Sequence, residues 1–362
     1  MKKVLVISNM YPSKEHLAYG IFVKNQVEQL EAQGIETVLA VNKNPATGKK
    51  NVMLKYLKWA QTVLKVFRAN KREISITHSH YVFPSGMFSY LLKKRYNIPY
   101  IVTAHGGDIN KMANKNGQIR QFTEKILQSA DHVIAVGEEL ATTIEEKFNV
   151  PHEQITVMSM GIDRTVFKEV PNKKEHAAQL GMNPDKTNFL FVGNIIREKG
   201  VTELVTAFTK LLAANPNAAE LYCIGSTKDS HFTAQVKELA KDYANIHFIE
   251  PMPQQELAQY FQAADVFVLP SYIEGLGLVA LEAMSCGTPV IASDVGGLHY
   301  MLADNRGVLV PPKDALLLQH ALDNAVKEGM QVNAAGIEQL LATHDAQNII
   351  VKLQMLYEKY TK

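Results

Sequence analysis

Short apolar runs of strand length alternate with amphipathic stretches of helix length along most of the chain. Val4 to Ser8 and Asn188 to Val192 are two such runs, and both have the largely continuous apolar pattern of buried strands. A loop and then a helical pattern follow each of them. This strand–loop–helix order predicts an α/β fold with parallel sheets.

A polar segment rich in helix breakers interrupts this alternation at 170–184. The chain has 362 residues, which is long for one domain and comfortable for two. We therefore expect one Rossmann-like domain over 1–169 and another over 170–343, with ligands at the carboxyl ends of the strands. The apolar periodicity of 344–362 predicts a final helix with a buried face.

Composition narrows the class of protein. Hydrophobic content of 46% and charged content of 20% are those of a soluble globular protein, and a net charge of +2 excludes nucleic-acid binding by charge alone. Cys223 and Cys286 both lie in apolar runs, so we expect a reduced, cytoplasmic setting without a disulfide framework. No apolar stretch approaches ~20 residues, and the apolar run at the N-terminus is too short for a signal peptide.

The segment 265–286 carries the clearest chemical signal. It predicts a strand, a loop with two glycines and then a helix, an arrangement that directs backbone N–H groups and a positive helix end at one place. Glu274 lies in the loop and Glu282 about one turn into the helix, where carboxylates suit sugar hydroxyls on either side of a diphosphate. The backbone groups expected at the phosphates are those of Gly275, Leu276, Gly277 and Leu278.

The run EGLGLVALEAMSCGTPVIASDVGG, which begins at Glu274, strongly resembles the retaining glycosyltransferases of family 4 (glycosyl transferases group 1). The resemblance implies the GT-B fold, in which two Rossmann-like domains with parallel sheets face a central cleft and the last helix crosses back onto the first domain. It implies transfer of a hexose from a UDP- or GDP-sugar to an acceptor hydroxyl with retention. Glu274 would then be catalytic and bind the donor sugar, and Glu282 would bind the ribose. The product would belong to cell-surface polysaccharide or glycolipid synthesis.

A second glycine loop, 193–200, carries Arg197 and Lys199 next to the start of a predicted helix, where cations suit a diphosphate. The resembling family has a lysine at the position of Lys199. We expect Lys199 to be catalytic because it would stabilise the leaving diphosphate. The family has an arginine where this chain has Asn194. Arg197 either replaces that arginine at the donor or is a solvated loop charge.

In the first half, His105 follows a predicted strand and precedes two glycines. A histidine at the carboxyl end of a parallel strand lies where a reacting group would be, and the resembling family has a histidine there, close to the transferred sugar. We expect His105 to be catalytic, and Asp108 to orient it, bind the acceptor or cap a turn. Gly20 either lets its loop approach the donor diphosphate, as the resemblance implies, or only forms a turn.

No metal ion or cofactor is expected. The chain opens without a GxGxxG fingerprint, which argues against a dinucleotide cofactor. Cations and a helix end can stabilise a leaving diphosphate without Mg²⁺, and no pair of carboxylates demands a metal. His78 and His80, in a predicted strand-to-helix loop, have no third ligand nearby, so a metal pair is not favoured.

Residues 43–72 contain nine basic residues and no acidic one. From residue 52 the spacing is helical, with Trp59 outside the predicted apolar face. The pattern fits a basic amphipathic helix on an anionic membrane surface, or an ordinary helix with a core-facing side and solvated lysines. The predicted apolar face consists of Met53, Tyr56, Leu57, Ala60, Val63, Leu64 and Phe67.

Two other classes of protein share these features. A sugar-nucleotide epimerase of the same architecture would act on the donor without an acceptor, and a non-catalytic sugar-nucleotide sensor would bind the donor without turnover.

The sequence does not identify the base of the donor nucleotide, because Glu250 stands where the resembling family often has glycine. His299 and Tyr300 likewise replace the usual Pro-Glu pair of the family.

Overall fold

The structure, a computed structural model, divides the chain into two compact units. Each unit contains one six-stranded parallel sheet with helices packed against it, so the predicted α/β fold with two Rossmann-like sheets is confirmed. The units are Met1–Gly161 with Ala346–Lys362, and Ile162–Asp345. The described residues are 3–45, 49–227 and 229–361, with the backbone alone at 49, 50 and 52.

The first unit alternates strands and helices as the apolar pattern predicts. Its strands are β1 Lys3–Ser8, β2 Thr37–Val41, β3 Ile74–His80, β4 Tyr100–Ala104, β5 His132–Ala135 and β6 Ile155–Val157. Its helices, apart from the last one of the chain, are α1 Ile21–Ala32, α2 Lys49–Asn70, α3 Ser85–Tyr96, α4 Gly117–Ser129 and α5 Glu138–Phe148. The strand order is β2-β1-β3-β4-β5-β6, and the parallel pairing makes each connection a crossover.

The second unit repeats this architecture. Its strands are β7 Thr187–Val192, β8 Ala219–Ile224, β9 Ile246–Ile249, β10 Val266–Leu269, β11 Val290–Ser293 and β12 Val308–Val310. Its helices are α6 Lys173–Gln179, α7 Val201–Ala214, α8 Ser230–Ala240, α9 Gln254–Ala263, α10 Leu278–Ser285, α11 Gly297–Leu302, α12 Ala315–Glu328 and α13 Ala334–His344. The strand order is β12-β11-β10-β7-β8-β9, so β10 pairs with β7 across a large sequence separation.

The C-terminal helix, α14 Ala346–Thr361, completes the core of the first unit. Ile349, Leu353 and Tyr357 are at most 2% exposed and pack in the same cluster as β1. Burial of apolar side chains of this size stabilises the unit by about 1.5–3 kcal/mol each. The helix starts at Ala346, separate from α13, rather than at residue 344 as the periodicity predicts.

His78 and His80 lie in β3 and not in a loop, which corrects the expectation from the sequence. The pairing of β3 with β4 continues to His80 and Thr103, so the ladder extends through both histidines. His78 shares one hydrogen bond with the Tyr357 hydroxyl at 2.6 Å and another with the Thr103 hydroxyl at 2.8 Å. Both ring nitrogens of His78 therefore have protein partners.

Helix α2 buries a different side from the predicted one. Trp59, Val63 and Phe67 are at most 3% exposed and pack in the core, and Trp59 Nε1–H donates to the carbonyl of Ala40 at 2.9 Å. Trp59 therefore belongs to the buried side, which is rotated by about a quarter-turn from the predicted apolar stripe. The residues of the predicted stripe that are exposed are Met53, Leu57 and Leu64.

Replacement of Tyr357 by Phe should destabilise the protein by about 1–3 kcal/mol, because it leaves a buried ring nitrogen of His78 without its partner. Urea unfolding measures the loss. Tyr360→Phe is the matched control, since Tyr360 bonds His132 at 3.1 Å but is partly exposed, and water can replace its hydroxyl. Equal losses in the two variants would contradict the importance of the buried bond.

Candidate active site

Three loops meet at one edge of the second sheet, because they follow the adjacent strands β7, β10 and β11. Tyr272 N–H donates to the carbonyl of Glu198 at 2.9 Å, and Gly297 N–H donates to the carbonyl of Gly275 at 2.9 Å. These hydrogen bonds join the middle loop to both of its neighbours. The three loops are 193–200, 270–277 and 294–297.

Two glycines allow the loops to approach so closely. Gly200 has φ +67°, and a Cβ atom there would lie 1.9 Å from the carbonyl oxygen of Pro270. Gly296 has φ +50°, and a Cβ atom there would lie 2.0 Å from the carbonyl oxygen of Glu274. A side chain at either position would overlap backbone atoms and push the loops apart.

Two helices begin where these loops meet, α7 and α10. Each follows a glycine in the left-handed conformation, Gly200 or Gly277, and neither glycine has a side chain to cap the first N–H groups. The side chain of Leu276 is only 8% exposed and packs into the core, so this part of the loop offers its backbone to a ligand. The arrangement of N–H groups and positive helix ends suits an anion.

Lys199 and Glu274 contact each other at this place. Their side chains form an ion pair, and the Ser271 hydroxyl donates to the same carboxylate oxygen, Glu274 Oε1, at 3.0 Å. Only 25% of the Lys199 side chain and 13% of the Glu274 side chain are exposed. The structure therefore brings together two of the three residues that were predicted to be catalytic. Ser271 was missed, although its position directly after a strand at the sheet edge is a usable signal.

Tyr272 also belongs to this site, and no pattern in the sequence predicts it. Its hydroxyl donates to Glu203 at 2.6 Å, and the Lys313 ammonium lies 4.9 Å from its ring centroid. Burial is the main reason that the pKa of Tyr272 is raised to about 12, and the nearby Arg197 charge opposes that rise. Arg197 itself is exposed beside the loop.

Glu282 lies one turn inside α10, as predicted, and takes no part in the ion pair. Burial raises the pKa of the Glu282 carboxyl group from 4.5 to about 8. A carboxyl group in such surroundings suits hydrogen bonds with neutral hydroxyl groups rather than contact with a phosphate.

His105, in the first unit, follows β4 and lies among rings. Its ring centroid is 4.9 Å from that of Phe22 and 4.5 Å from that of Tyr81, and its Nε2 shares a hydrogen bond with His80 Nδ1 at 3.4 Å. Burial lowers the pKa of His105 to about 3, so the imidazole is neutral at physiological pH. It can exchange hydrogen bonds with a hydroxyl, but it supplies no positive charge to a phosphate.

Asp108 holds the backbone around His105. Its Oδ1 accepts from the N–H of His105 at 3.0 Å, and its Oδ2 accepts from the N–H of Val82 at 2.7 Å. The carboxylate is 3% exposed, and this burial raises its pKa although the backbone hydrogen bonds oppose the rise. Asp108 therefore orients the segment of His105 through backbone groups, one of the three roles considered from the sequence.

Gly20 adopts φ +72° at the start of α1, where a Cβ atom would lie 2.6 Å from the backbone carbonyl of Met10. The turn therefore needs glycine at this position for steric reasons. Its contact with a donor diphosphate stays a prediction.

Comparison with known families covers most of the chain. Residues 20–166 match the model for Glycosyltransferase Family 4, and residues 172–338 match the model for Glycosyl transferases group 1. Together with the two parallel sheets and the paired lysine and glutamate, these matches define the class: the chain belongs to the family 4 (group 1) glycosyltransferases of GT-B type, and it is a glycosyltransferase.

Individual relatives agree with this assignment. The chain is 27% identical over 358 residues to TuaC of Bacillus subtilis (strain 168), named for teichuronic acid biosynthesis, with 88% of each chain covered. Its fold matches sucrose-phosphate synthase from Thermosynechococcus elongatus, with a TM-score of 0.80, 23% identity and 99% of each chain covered. It also matches Anabaena Alr3699/HepE in complex with UDP-glucose, with a TM-score of 0.78, 17% identity and coverage of 99% and 100%.

Replacement of Glu282 by Gln should change how stability depends on pH. Because the folded-state pKa is raised to about 8 from 4.5, the protonated carboxyl stabilises the native state below the lower value, and this contribution is lost as pH rises through about 8. The Gln variant should therefore gain stability relative to the unmodified protein from acidic to alkaline pH, by on the order of 2 kcal/mol.

Urea unfolding at about pH 5, 7 and 9 measures this difference. Glu256→Gln, at an exposed position of α9, serves as the control and should give a difference that does not vary with pH. A pH-independent difference for Glu282→Gln would contradict the burial of an ionisable carboxyl group in α10.

Proposed function

We propose that this glycosyltransferase moves a hexose from a nucleotide diphosphate sugar, UDP- or GDP-linked, to an acceptor hydroxyl, with retention at the anomeric carbon and without a metal ion. The observation that carries the proposal is the ion pair between Lys199 and Glu274 at the N-terminal ends of α7 and α10. A cation, a carboxylate and two helix ends at one place suit a sugar attached to a diphosphate.

Each group has a separate task in this proposal. Lys199, the N–H groups from Gly275 to Leu278 and the exposed Arg197 stabilise the charge that grows on the leaving diphosphate. A well-placed donor of this kind is commonly worth ~3–4 kcal/mol in the transition state. Glu274 holds hydroxyl groups of the donor sugar, and Glu282 holds the ribose through a carboxyl group whose raised pKa, about 8, favours the protonated form.

In this proposal, two residues of the first unit also act at the donor: His105 at the transferred sugar and Gly20 at the diphosphate. Neutral His105 exchanges a hydrogen bond with a sugar hydroxyl, for which an uncharged imidazole is suited. Gly20 keeps its loop free of a side chain at the donor. Asp108 acts on His105 through the backbone hydrogen bonds that it accepts.

The class of acceptor follows from the relatives rather than from the site. TuaC is named for teichuronic acid biosynthesis, and Alr3699/HepE binds UDP and UDP-glucose in its crystal structures. These names support a nucleotide-sugar donor and a place in cell-surface polysaccharide or glycolipid synthesis for this chain.

Removal of the ion pair should abolish transfer. Glu274→Ala should lower the transfer rate by about 100-fold or more, and Lys199→Met should also weaken UDP binding by about tenfold or more, because it removes a cation from the diphosphate. Release of nucleotide diphosphate in the presence of acceptor measures transfer, and thermal shift with UDP-glucose and GDP-glucose measures donor binding.

Exposed residues provide matched controls. Lys210→Met, in the last turns of α7, and Glu256→Ala, on α9, should leave both quantities unchanged. Binding of a nucleotide sugar without any turnover would identify a sensor instead, and conversion of the donor without an acceptor would identify an epimerase. A lack of any thermal shift with either donor would contradict the assignment of the donor site.

Peripheral binding to an anionic membrane also belongs to this proposal, through the part of the predicted apolar face of α2 that stays exposed. Every helix among the described residues is too short or too polar to span a lipid bilayer. The exposed side of α2 instead combines large apolar groups with cations, and α2 has no acidic residue. The large apolar residues are Met53, Leu54, Leu57 and Leu64, at 45–62% exposure, and the exposed cations include Lys58, Lys65 and Arg68.

Replacement of Leu57 by Glu should weaken binding to anionic vesicles by about tenfold or more, since it removes a group that inserts and adds a repelled charge. Co-sedimentation with phosphatidylglycerol-containing vesicles at low and high salt measures binding. Leu239→Glu, at a similarly exposed leucine of α8, is the control and should bind as the unmodified protein does. Pelleting that is absent, or insensitive to salt, would rule out this membrane surface.

A further inference from the structure

A cavity of about 630 Å³ lies in the first unit beside α2, between the loops that follow β1 and β2. Its position at the carboxyl ends of two adjacent parallel strands is the usual place for a ligand in this kind of sheet. Lysines outnumber carboxylates in the wall by four to one. The charged residues of the wall are Lys14, Lys43, Lys55, Lys58 and Glu15.

Lys55 is the most unusual member of this wall. It is 9% exposed, and its ammonium group lies 3.4 Å from the Tyr19 hydroxyl and 5.8 and 5.5 Å from the ring centroids of Tyr19 and Tyr56. Among the residues described, no carboxylate pairs with Lys55, and burial lowers its pKa. A buried cation without a counter-ion is costly, so an anion bound in this cavity would stabilise Lys55.

The rest of the wall leaves the lysines as its donors. Trp59 lines the cavity but is only 3% exposed, and its N–H is bonded to the Ala40 carbonyl, so it closes one side without offering a donor. Asn42 also lines the cavity and is held there by a hydrogen bond to the carbonyl of Asn9 at 3.0 Å. The ammonium groups of the lysines in this wall provide charged donors for an oxyanion.

We propose that this cavity binds an oxyanion, a phosphate or a carboxylate, carried by the acceptor sugar. The assignment to the acceptor rests on the proposed function, whereas the assignment to an anion rests on the cavity and its lysines alone. The lysines of the cavity wall then select charged acceptors. The cavity lies beside the exposed apolar side of α2, but Leu57 and Leu64 do not line it.

Calorimetric titration of the full chain with glucose 6-phosphate, glucuronate and glucose tests the proposal. One or both charged sugars should bind about tenfold or more tightly than glucose, with an affinity that falls as salt rises. The tighter of the two identifies phosphate or carboxylate as the preferred oxyanion. Binding of all three sugars with the same affinity, or of none of them, would overturn the proposal.

Substitutions locate the site. Lys55→Met keeps the buried stem, removes the charge and should weaken binding of the charged sugar by about tenfold or more. Lys210→Met, at an exposed position of α7 and outside the cavity wall, should leave it unchanged. Lys43→Ala should weaken binding by about threefold. Because Lys43 is exposed at the rim of the cavity, this substitution does not disturb buried packing. Unchanged binding in both the Lys55 and Lys43 variants would overturn the proposal.

Titration with UDP separates this proposal from the donor site. The Lys55→Met variant should bind UDP as the unmodified protein does, because none of the residues assigned to the donor lines this cavity. Loss of charged-sugar binding with retained UDP binding supports the lysine cavity. Failure of the unmodified protein to bind UDP would count against the donor proposal and would leave the result for the charged sugars intact.

Discussion

The close approach of loop 193–200 to loop 270–277 is the constraint on which the candidate site depends. A lysine and a glutamate with mostly buried side chains would each be costly alone, and pairing them offsets part of that cost. The pair forms only because Gly200 can lie against the backbone of Pro270. The result is a locally neutral pair between two positive helix ends, so the site as a whole favours a ligand with negative charge.

The two units use burial in opposite ways. In the first unit, burial keeps the imidazoles neutral: the pKa values of His78 and His105 are lowered to about 3, and that of His80 is well below its ordinary value. In the second unit, burial keeps a carboxyl group protonated at neutral pH, since the pKa of Glu282 is raised to about 8. Of these groups, His105 and Glu282 are the ones proposed at the donor, and an uncharged imidazole or carboxyl group suits sugar hydroxyls.

Helix α2 connects several properties of the first unit. One side, with Trp59, Val63 and Phe67, packs in the core and fixes the rotation of the helix. That rotation leaves large apolar groups exposed among cations on the opposite side and turns Lys55 toward the loops after β1 and β2. A single choice of buried face thus determines both the surface proposed for lipid and the cavity proposed for an oxyanion.

The sequence by itself determined the local features: the strand–loop–helix units, the glycine loop that starts α10, and the place of Glu274 and Lys199 at the ends of strands. These follow from apolar periodicity and from glycine, which act over a few residues. Only the tertiary structure decided which of these ends meet. Lys199 and Glu274 are 75 residues apart and join because β10 pairs with β7, and His78 meets Tyr357 across 279 residues. The rotation of α2 was predicted wrongly for the same reason: periodicity gives the apolar positions of a helix, but the sheet that it packs on selects which of them are buried.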